Sequence, residues 1–298
     1  MVQANTHKKQ AGKQELVISS RDNRWLKRFR ACLSGEGGED GIVGVEGMRL
    51  VEAALGSGLD VEALLVSVSG ERHLTRLAGS IAPDMQILRT TDRLFAGVAD
   101  TQTPQGVAAL VRAKIATIED VARGVALVVI LVGVQDPGNV GTILRAAEAF
   151  GATGAAICSA GTIGTANPLG PKALRASAGS ALRLPILQDT PCAILLARLR
   201  VLGVKLYAAV ADGGDGERRN SGMPAMVRPW DADWKSPVGL LIGNEGAGLA
   251  EEIVRSCDAR VSIPQMNSGK MSGVESLNAA MAGSVLLYEA MRQRGGVA

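Results

Sequence analysis

Asn139, Arg145, Glu245, Ser276 and Asn278 lie in three separated stretches: VGVQDPGNVGTILRAAEAFGA (Val132–Ala152), GLLIGNEGAGLAEEI (Gly239–Ile253) and VSIPQMNSGKMSGVESLNAA (Val261–Ala280). Each stretch joins an apolar strand to a Gly-rich loop bearing Asn, Glu, Arg or Ser. Open α/β sheets bind ligands beyond the carboxyl ends of their strands, so one composite site is expected. The chain has only two histidines, His7 in its opening segment and His73 in its first half. Neither is an obvious base for these loops, whose residue types suit holding and orienting a ligand.

Two common nucleotide-binding patterns fail. After the first apolar strand, Gly138 and Gly141 supply only GxxG, and Cys158 and Ser159 stand where a dinucleotide fold places its ribose-binding acid. A phosphate loop sought around Lys270 has Pro264 where Gly is needed and Met271 where Ser or Thr is needed.

The elements that must position these residues read as an alternating series. A polar tail of residues 1–14 precedes a helix starting at Ser20 or Asp22, with Trp25, Leu26, Phe29 and Leu33 on its buried side. After the loop Ser34–Gly41 come strand Ile42–Val45, helix Met48–Gly56, strand Ala63–Val68, helix Glu71–Gly79, the strand QILRT and a closing strand that reaches Val111. This predicts a small α/β domain over 15–112, followed by a linker over 113–124.

The run VALVVILVG opens a second domain, 125–298, as a central parallel strand. Helix Thr142–Phe150, strand Gly154–Cys158, helix Pro171–Ala178, strand Leu184–Leu187, helix Pro191–Leu202 and strand Lys205–Val210 follow. A polar interruption, Ala211–Lys235, precedes strand Val238–Ile242, helix Leu249–Cys257, strand Arg260–Ile263 and a terminal helix Ser276–Arg292. In that last helix Leu277, Met281, Val285 and Tyr288 recur at core spacing.

Composition sets the bounds. With 298 residues, 47% hydrophobic and 3% aromatic, two aliphatic cores are expected. No uninterrupted apolar run reaches about 18 residues, and the opening MVQANTHKKQAGKQE has no apolar signal-type stretch, so a cytoplasmic location is expected. Cys32, Cys158, Cys192 and Cys257 form no CxxC pair, which argues for reduced structural thiols and against a metal site or disulfide framework. The net charge of +3 is unevenly spread: Met1–Arg30 holds eight Lys or Arg against Glu15 and Asp22. Arg24, Lys27 and Arg28 fall at helical spacing as a basic stripe able to meet phosphates.

Taken together, the three stretches resemble the motifs of the SpoU/TrmH group of S-adenosylmethionine-dependent RNA ribose 2′-O-methyltransferases, within the SPOUT superfamily. The first matches through Asp136, Pro137, Asn139, Gly141, Ile143, Arg145, Ala147, Ala149, Phe150 and Gly151. The second matches through Gly243, Asn244, Glu245, Gly246, Gly248 and Leu249, and the third through Ile263, Pro264 and Val274–Asn278. NPLGPKALRASAGSALRLP (Asn167–Pro185) is similar to the family's intervening segment. The cues SRDNRWLKRFR, VEGMRLVEAAL and TQTPQGVAAL resemble the substrate-binding domain often fused to these enzymes, itself like a small ribosomal RNA-binding protein.

The resemblance implies an α/β fold with a SPOUT-type parallel sheet and a C-terminal trefoil knot, preceded by the ribosomal-protein-like domain, in a homodimer. It implies S-adenosylmethionine as methyl donor, with Gly243, Ile263 and Leu277 lining its pocket and Leu241 nearby. It places Arg145 beside the nucleophile, with Asn139, Glu245, Ser276 and Asn278 orienting arginine, ribose and donor. Arginine stays protonated, so gripping phosphate and stabilising the alkoxide suit it better than the proton-accepting role proposed for the family. Arg24, Lys27 and Arg28 become RNA contacts, with ribosomal RNA favoured over transfer RNA as substrate and no membrane partner. Gln265–Gly273 is longer than the family's spacer, which leaves a fold-retaining, non-catalytic RNA-binding protein as the alternative.

Overall fold

The computed structural model describes residues 15–36, 41–211, 222–266 and 276–295. The tail 1–14, Lys270 and residues 267–275 of the third stretch lie outside these. The chain divides into two compact units, Met1–Ala113 and Lys114–Ala298.

The first unit has a five-stranded sheet in the order β1-β4-β3-β5-β2: β1 (Glu15–Ile18), β2 (Ile42–Glu46), β3 (Val61–Ser67), β4 (Gln86–Thr90) and β5 (Val107–Arg112). β1/β4 and β3/β4 are parallel, while β5 runs antiparallel to both β2 and β3. Four helices join these strands: α1 (Arg24–Ser34), α2 (Met48–Gly56), α3 (Glu71–Leu77) and α4 (Asp92–Ala96).

Helix α1 begins later than expected. Asn23 is its N-cap, its side-chain oxygen accepting the Trp25 amide at 2.8 Å, while Ser20 instead bonds the Asp22 amide. Leu26, Phe29, Cys32 and Leu33 are buried against the sheet, and Trp25 is only half-buried. Strand β1 and helix α4 were not anticipated.

The second unit has a seven-stranded sheet, parallel at every pairing, in the order β10-β12-β9-β11-β6-β7-β8. Its strands are β6 (Leu127–Val132), β7 (Gly154–Cys158), β8 (Ile186–Leu187), β9 (Lys205–Ala209), β10 (Met226–Val227), β11 (Val238–Ile242) and β12 (Ala259–Val261). Every residue of β6 and β11 is buried, as expected for strands covered on both faces.

The helices are α5 (Ile118–Val121), α6 (Pro137–Ala149), α7 (Pro171–Ser177), α8 (Ser180–Arg183), α9 (Cys192–Val201), α10 (Glu251–Arg255) and α11 (Ala279–Gln293). The stretch expected as a linker carries α5, opened by a Thr117/Asp120 capping box, and Ile118 and Val121 belong to the second unit's core. The expected polar interruption contributes edge strand β10 and a fully buried Trp234, whose indole donates to the Pro229 carbonyl at 2.7 Å.

Two close approaches position the site. A Cβ on Gly141 would lie 2.3 Å from the Ala173 carbonyl oxygen, so glycine lets α7 seat directly on α6. A Cβ on Gly283 would lie 2.8 Å from Ile242, so the terminal helix α11 presses on the end of β11 through small residues. Its buried residues are Ala280, Gly283, Leu286, Leu287 and Ala290. The expected core stripe is therefore the wrong face: Leu277, Met281, Val285 and Tyr288 are 37%, 62%, 44% and 51% exposed.

Candidate active site

β6 and β11 are hydrogen-bonded neighbours, so the loops leaving their carboxyl ends emerge side by side. After β11 the chain turns back on itself, with Asn244 and Gly248 exchanging backbone hydrogen bonds at 3.1 and 2.9 Å. The Asn244 side-chain oxygen accepts the Gly246 and Ala247 amides, and its Nδ2 donates to the Gly133 carbonyl at 2.9 Å. That last bond ties the loop after β11 to the loop after β6.

Glu245 extends the tie. Its carboxylate accepts the backbone amides of Gln135 and Asp136, both at 3.1 Å, and Asn139 Nδ2 at 3.0 Å. Burial raises the Glu245 pKa, but the bonds from Asn139 and the two amides outweigh it and hold the carboxyl below its ordinary value. Asn139 in turn accepts from Asn278 Nδ2 at 3.1 Å, and Asn278 Oδ1 caps α11 by accepting the Ala280 and Met281 amides. The chain Glu245–Asn139–Asn278 thus fixes the starts of α6 and α11 against the loop after β11.

Beside this chain lies a cavity of about 470 Å³, lined by the ends of β9, β11 and β12 and by the start of α11. Gly243, Ile263, Ser276 and Leu277 all line it, together with Glu245. Leu241 does not: strand alternation turns it into the core, and Ile242 lines the cavity in its place. Ala209, Val210 and Ala211, which carried no motif, complete one wall, and Gln265 lines the rim. A Cβ on Gly243 would sit 2.4 Å from the Gly248 backbone, so only glycine fits this floor. The volume lies in the range of small-molecule sites, and its mixed apolar and carboxamide walls suit a nucleoside.

Arg145 stands apart from the cavity. It is exposed on α6 and makes no hydrogen bond or ion pair among the described residues. The structure brings together Asn139, Glu245 and Asn278 by direct bonds, with Ser276 on the adjoining wall, and leaves the guanidinium facing solvent. In the first unit Arg24 and Lys27 are exposed, and Arg24 and Arg28 lie 5.8 and 6.0 Å from the Trp25 ring centre. Arg28 is gripped by Glu62 through its Nη1 and Nη2, the latter donating at 2.8 Å, which diverts it from the free stripe that was expected.

Residues 126–288 match the SpoU rRNA Methylase family, and residues 38–109 match the MRM3-like substrate binding domain. The chain is 31% identical over 283 residues to an uncharacterized tRNA/rRNA methyltransferase of Synechocystis, covering 93% of this chain and 94% of the relative. It is 31% identical over 248 residues to the 23S rRNA (guanosine(2553)-2′-O)-methyltransferase RlmP of Bacillus subtilis, covering 82% and 86%. The AdoMet-bound rRNA methyltransferase of Sinorhizobium meliloti superposes with a TM-score of 0.77 at 28% identity, covering 94% of this chain and 98% of that one. With motifs, cavity and both matched regions in agreement, the chain belongs to the SpoU rRNA methylase family.

Proposed function

We propose that this protein methylates a ribose 2′-hydroxyl of ribosomal RNA, using S-adenosylmethionine. The observation that carries this reading is the Glu245–Asn139–Asn278 hydrogen-bond chain at the edge of the 470 Å³ cavity. Relatives named as 23S rRNA 2′-O-methyltransferases and an AdoMet-bound structural neighbour support it. The donor, when bound, supplies an electrophilic methyl group. Gly243, Ile263, Ser276 and Leu277 hold it, glycine by allowing close backbone approach and the aliphatic pair by packing on the nucleoside.

The polar residues act by orientation. Asn139 has its carboxamide fixed at both ends, by Glu245 and by Asn278, so α6 begins in one set position. Arg145, exposed on that helix, grips the phosphate next to the target ribose and stabilises the negative charge that develops on the attacking oxygen. Residues 15–113 act as the RNA-binding domain, through Arg24 and Lys27 above all, and residues 114–298 as the methyltransferase domain. The C-terminal segment is knotted as in the family, a reading supported by the seating of α11 on β11 and α6.

The homodimer is supported by the exposed Met281, Val285 and Tyr288, which give α11 an outward apolar stripe suited to a second copy. No described helix is long and apolar enough to cross a membrane, and the site of action proposed is the cytoplasmic ribosomal RNA pool. The deciding experiment is Arg145→Ala with labelled methyl transfer to unmodified 23S ribosomal RNA. Transfer is expected to fall about a hundredfold or more while donor binding by calorimetry is kept. Unchanged transfer overturns the assignment.

A further inference from the structure

We propose that Lys172 is a second phosphate anchor of the catalytic unit, holding the RNA backbone beside the ribose that Arg145 addresses; this rests on the RNA-methylating reading above. Lys172 lies on α7, and its ammonium is 2.7 Å from Asp136 Oδ1. Asp136 is the N-cap of α6, and its own backbone amide is bound by Glu245 at 3.1 Å. The ammonium is therefore one residue removed from the Glu245–Asn139–Asn278 chain, at the same end of α6.

The segment that carries Lys172 is basic. From Ser159 to Gln188 the sequence has no Asp or Glu, but it has Lys172, Arg175 and Arg183. Arg183 is engaged by Glu148, whereas Lys172 and Asp136 are 63% and 47% exposed. An ion pair that exposed is weak and easily exchanged for a phosphate. Asp136 keeps a partner when the lysine leaves, since it also accepts the Gly138 amide at 2.9 Å. The pair is not what seats α7 either: the contact of Gly141 with Ala173 and Ala176 does that through backbone and methyl groups. An exchangeable cation on a rigidly placed helix is the arrangement a phosphate contact needs.

The test uses the full chain and unmodified 23S ribosomal RNA made by transcription. Filter binding over a salt series is measured alongside initial rates of methyl transfer. Lys172→Ala is expected to raise the RNA Kd and KM about five- to tenfold and to flatten the slope of log affinity against log salt by about 0.7 to 1. Donor affinity is unchanged, kcat moves less than about twofold, and Lys172→Arg restores the salt slope. An unaltered Kd and slope in Lys172→Ala overturns the proposal, as does a loss shared by the Ala and Arg variants together with lowered thermal stability. Binding is read apart from turnover. A wild-type protein that held the transcript but moved no methyl would therefore sink the catalytic reading while the salt slope still decided the lysine.

Discussion

The two sheets differ in where their strands end and so in which polar groups can meet. In the seven-stranded sheet every pairing is parallel, so β6, β11 and β12 all end at one edge and their loops converge. Convergence lets Glu245 meet Asn139 across 106 residues of chain, and Asn278 meet Asn139 across 139. In the five-stranded sheet β5 runs antiparallel between β3 and β2, so neighbouring strands end at opposite edges. There the charges are tied by ion pairs on the surface, such as Arg28 with Glu62 and Arg76 with Glu52. A parallel edge brings carboxamides and a carboxylate from distant loops into one site; in the mixed sheet the loops part, and its exposed ion pairs are individually replaceable.

The largest effect tests the convergent edge itself. Gly243→Ala places a Cβ 2.4 Å from the Gly248 backbone, which cannot yield as a side chain would. We expect a loss of about 2–3 kcal/mol in urea unfolding and no detectable donor heat in calorimetry. Normal donor binding would mean that the loop after β11 is not the pocket floor.

An intermediate effect distinguishes a networked carboxylate from a surface one. The folded pKa of Glu245 is depressed below its ordinary 4.5. Its stabilising contribution is therefore full above about pH 4.5 and is lost as pH falls through the folded value, where the unfolded chain binds the proton first. Glu245→Gln should lower stability by about 0.5–1 kcal/mol at neutral pH, the exposed carboxylate being screened by solvent, and the difference from wild type should shrink on acidification below 4.5. Urea midpoints over a pH series measure this. A gap that widened in acid would contradict the depressed pKa.

The smallest effect concerns the first unit. Arg28→Ala should cost less than about 1 kcal/mol, since its pair with Glu62 is partly exposed. Its effect on RNA affinity should be smaller than that of Arg24→Ala or Lys27→Ala, whose side chains face solvent. Filter binding of the three variants decides. A dominant Arg28 would mean that RNA displaces Glu62 and that the surface pairs are switchable in the way proposed for Lys172.

Much of the site was legible because motif residues carry their own local signal. The start of α6 was not: the sequence places that helix at Thr142–Phe150, whereas it begins at Pro137 with Asp136 as its N-cap, and the glycine at 243 makes its close approach to the Gly248 backbone. The misread face of α11 has a physical cause. Periodicity assigns large apolar residues inward, but α11 packs so near β11 and α6 that Ala280, Gly283 and Ala290 must face in, leaving Met281 and Tyr288 outside. Trp234 escaped because polar neighbours mask a single buried aromatic. β1 escaped because four residues are too short to show alternation.

By itself the sequence determined the candidate residues for the chemistry, the parallel α/β class of the second unit and the motifs that place it in its family. These depend on residue type, cap and turn preferences, and apolar runs, all local along the chain. Only the tertiary structure decided that Asn139 is clamped between Glu245 and Asn278, that Ile242 rather than Leu241 faces the cavity, and that Lys172 stands beside Asp136. Such contacts follow from strand order and helix seating, which link residues far apart in sequence, and local preference carries no record of them.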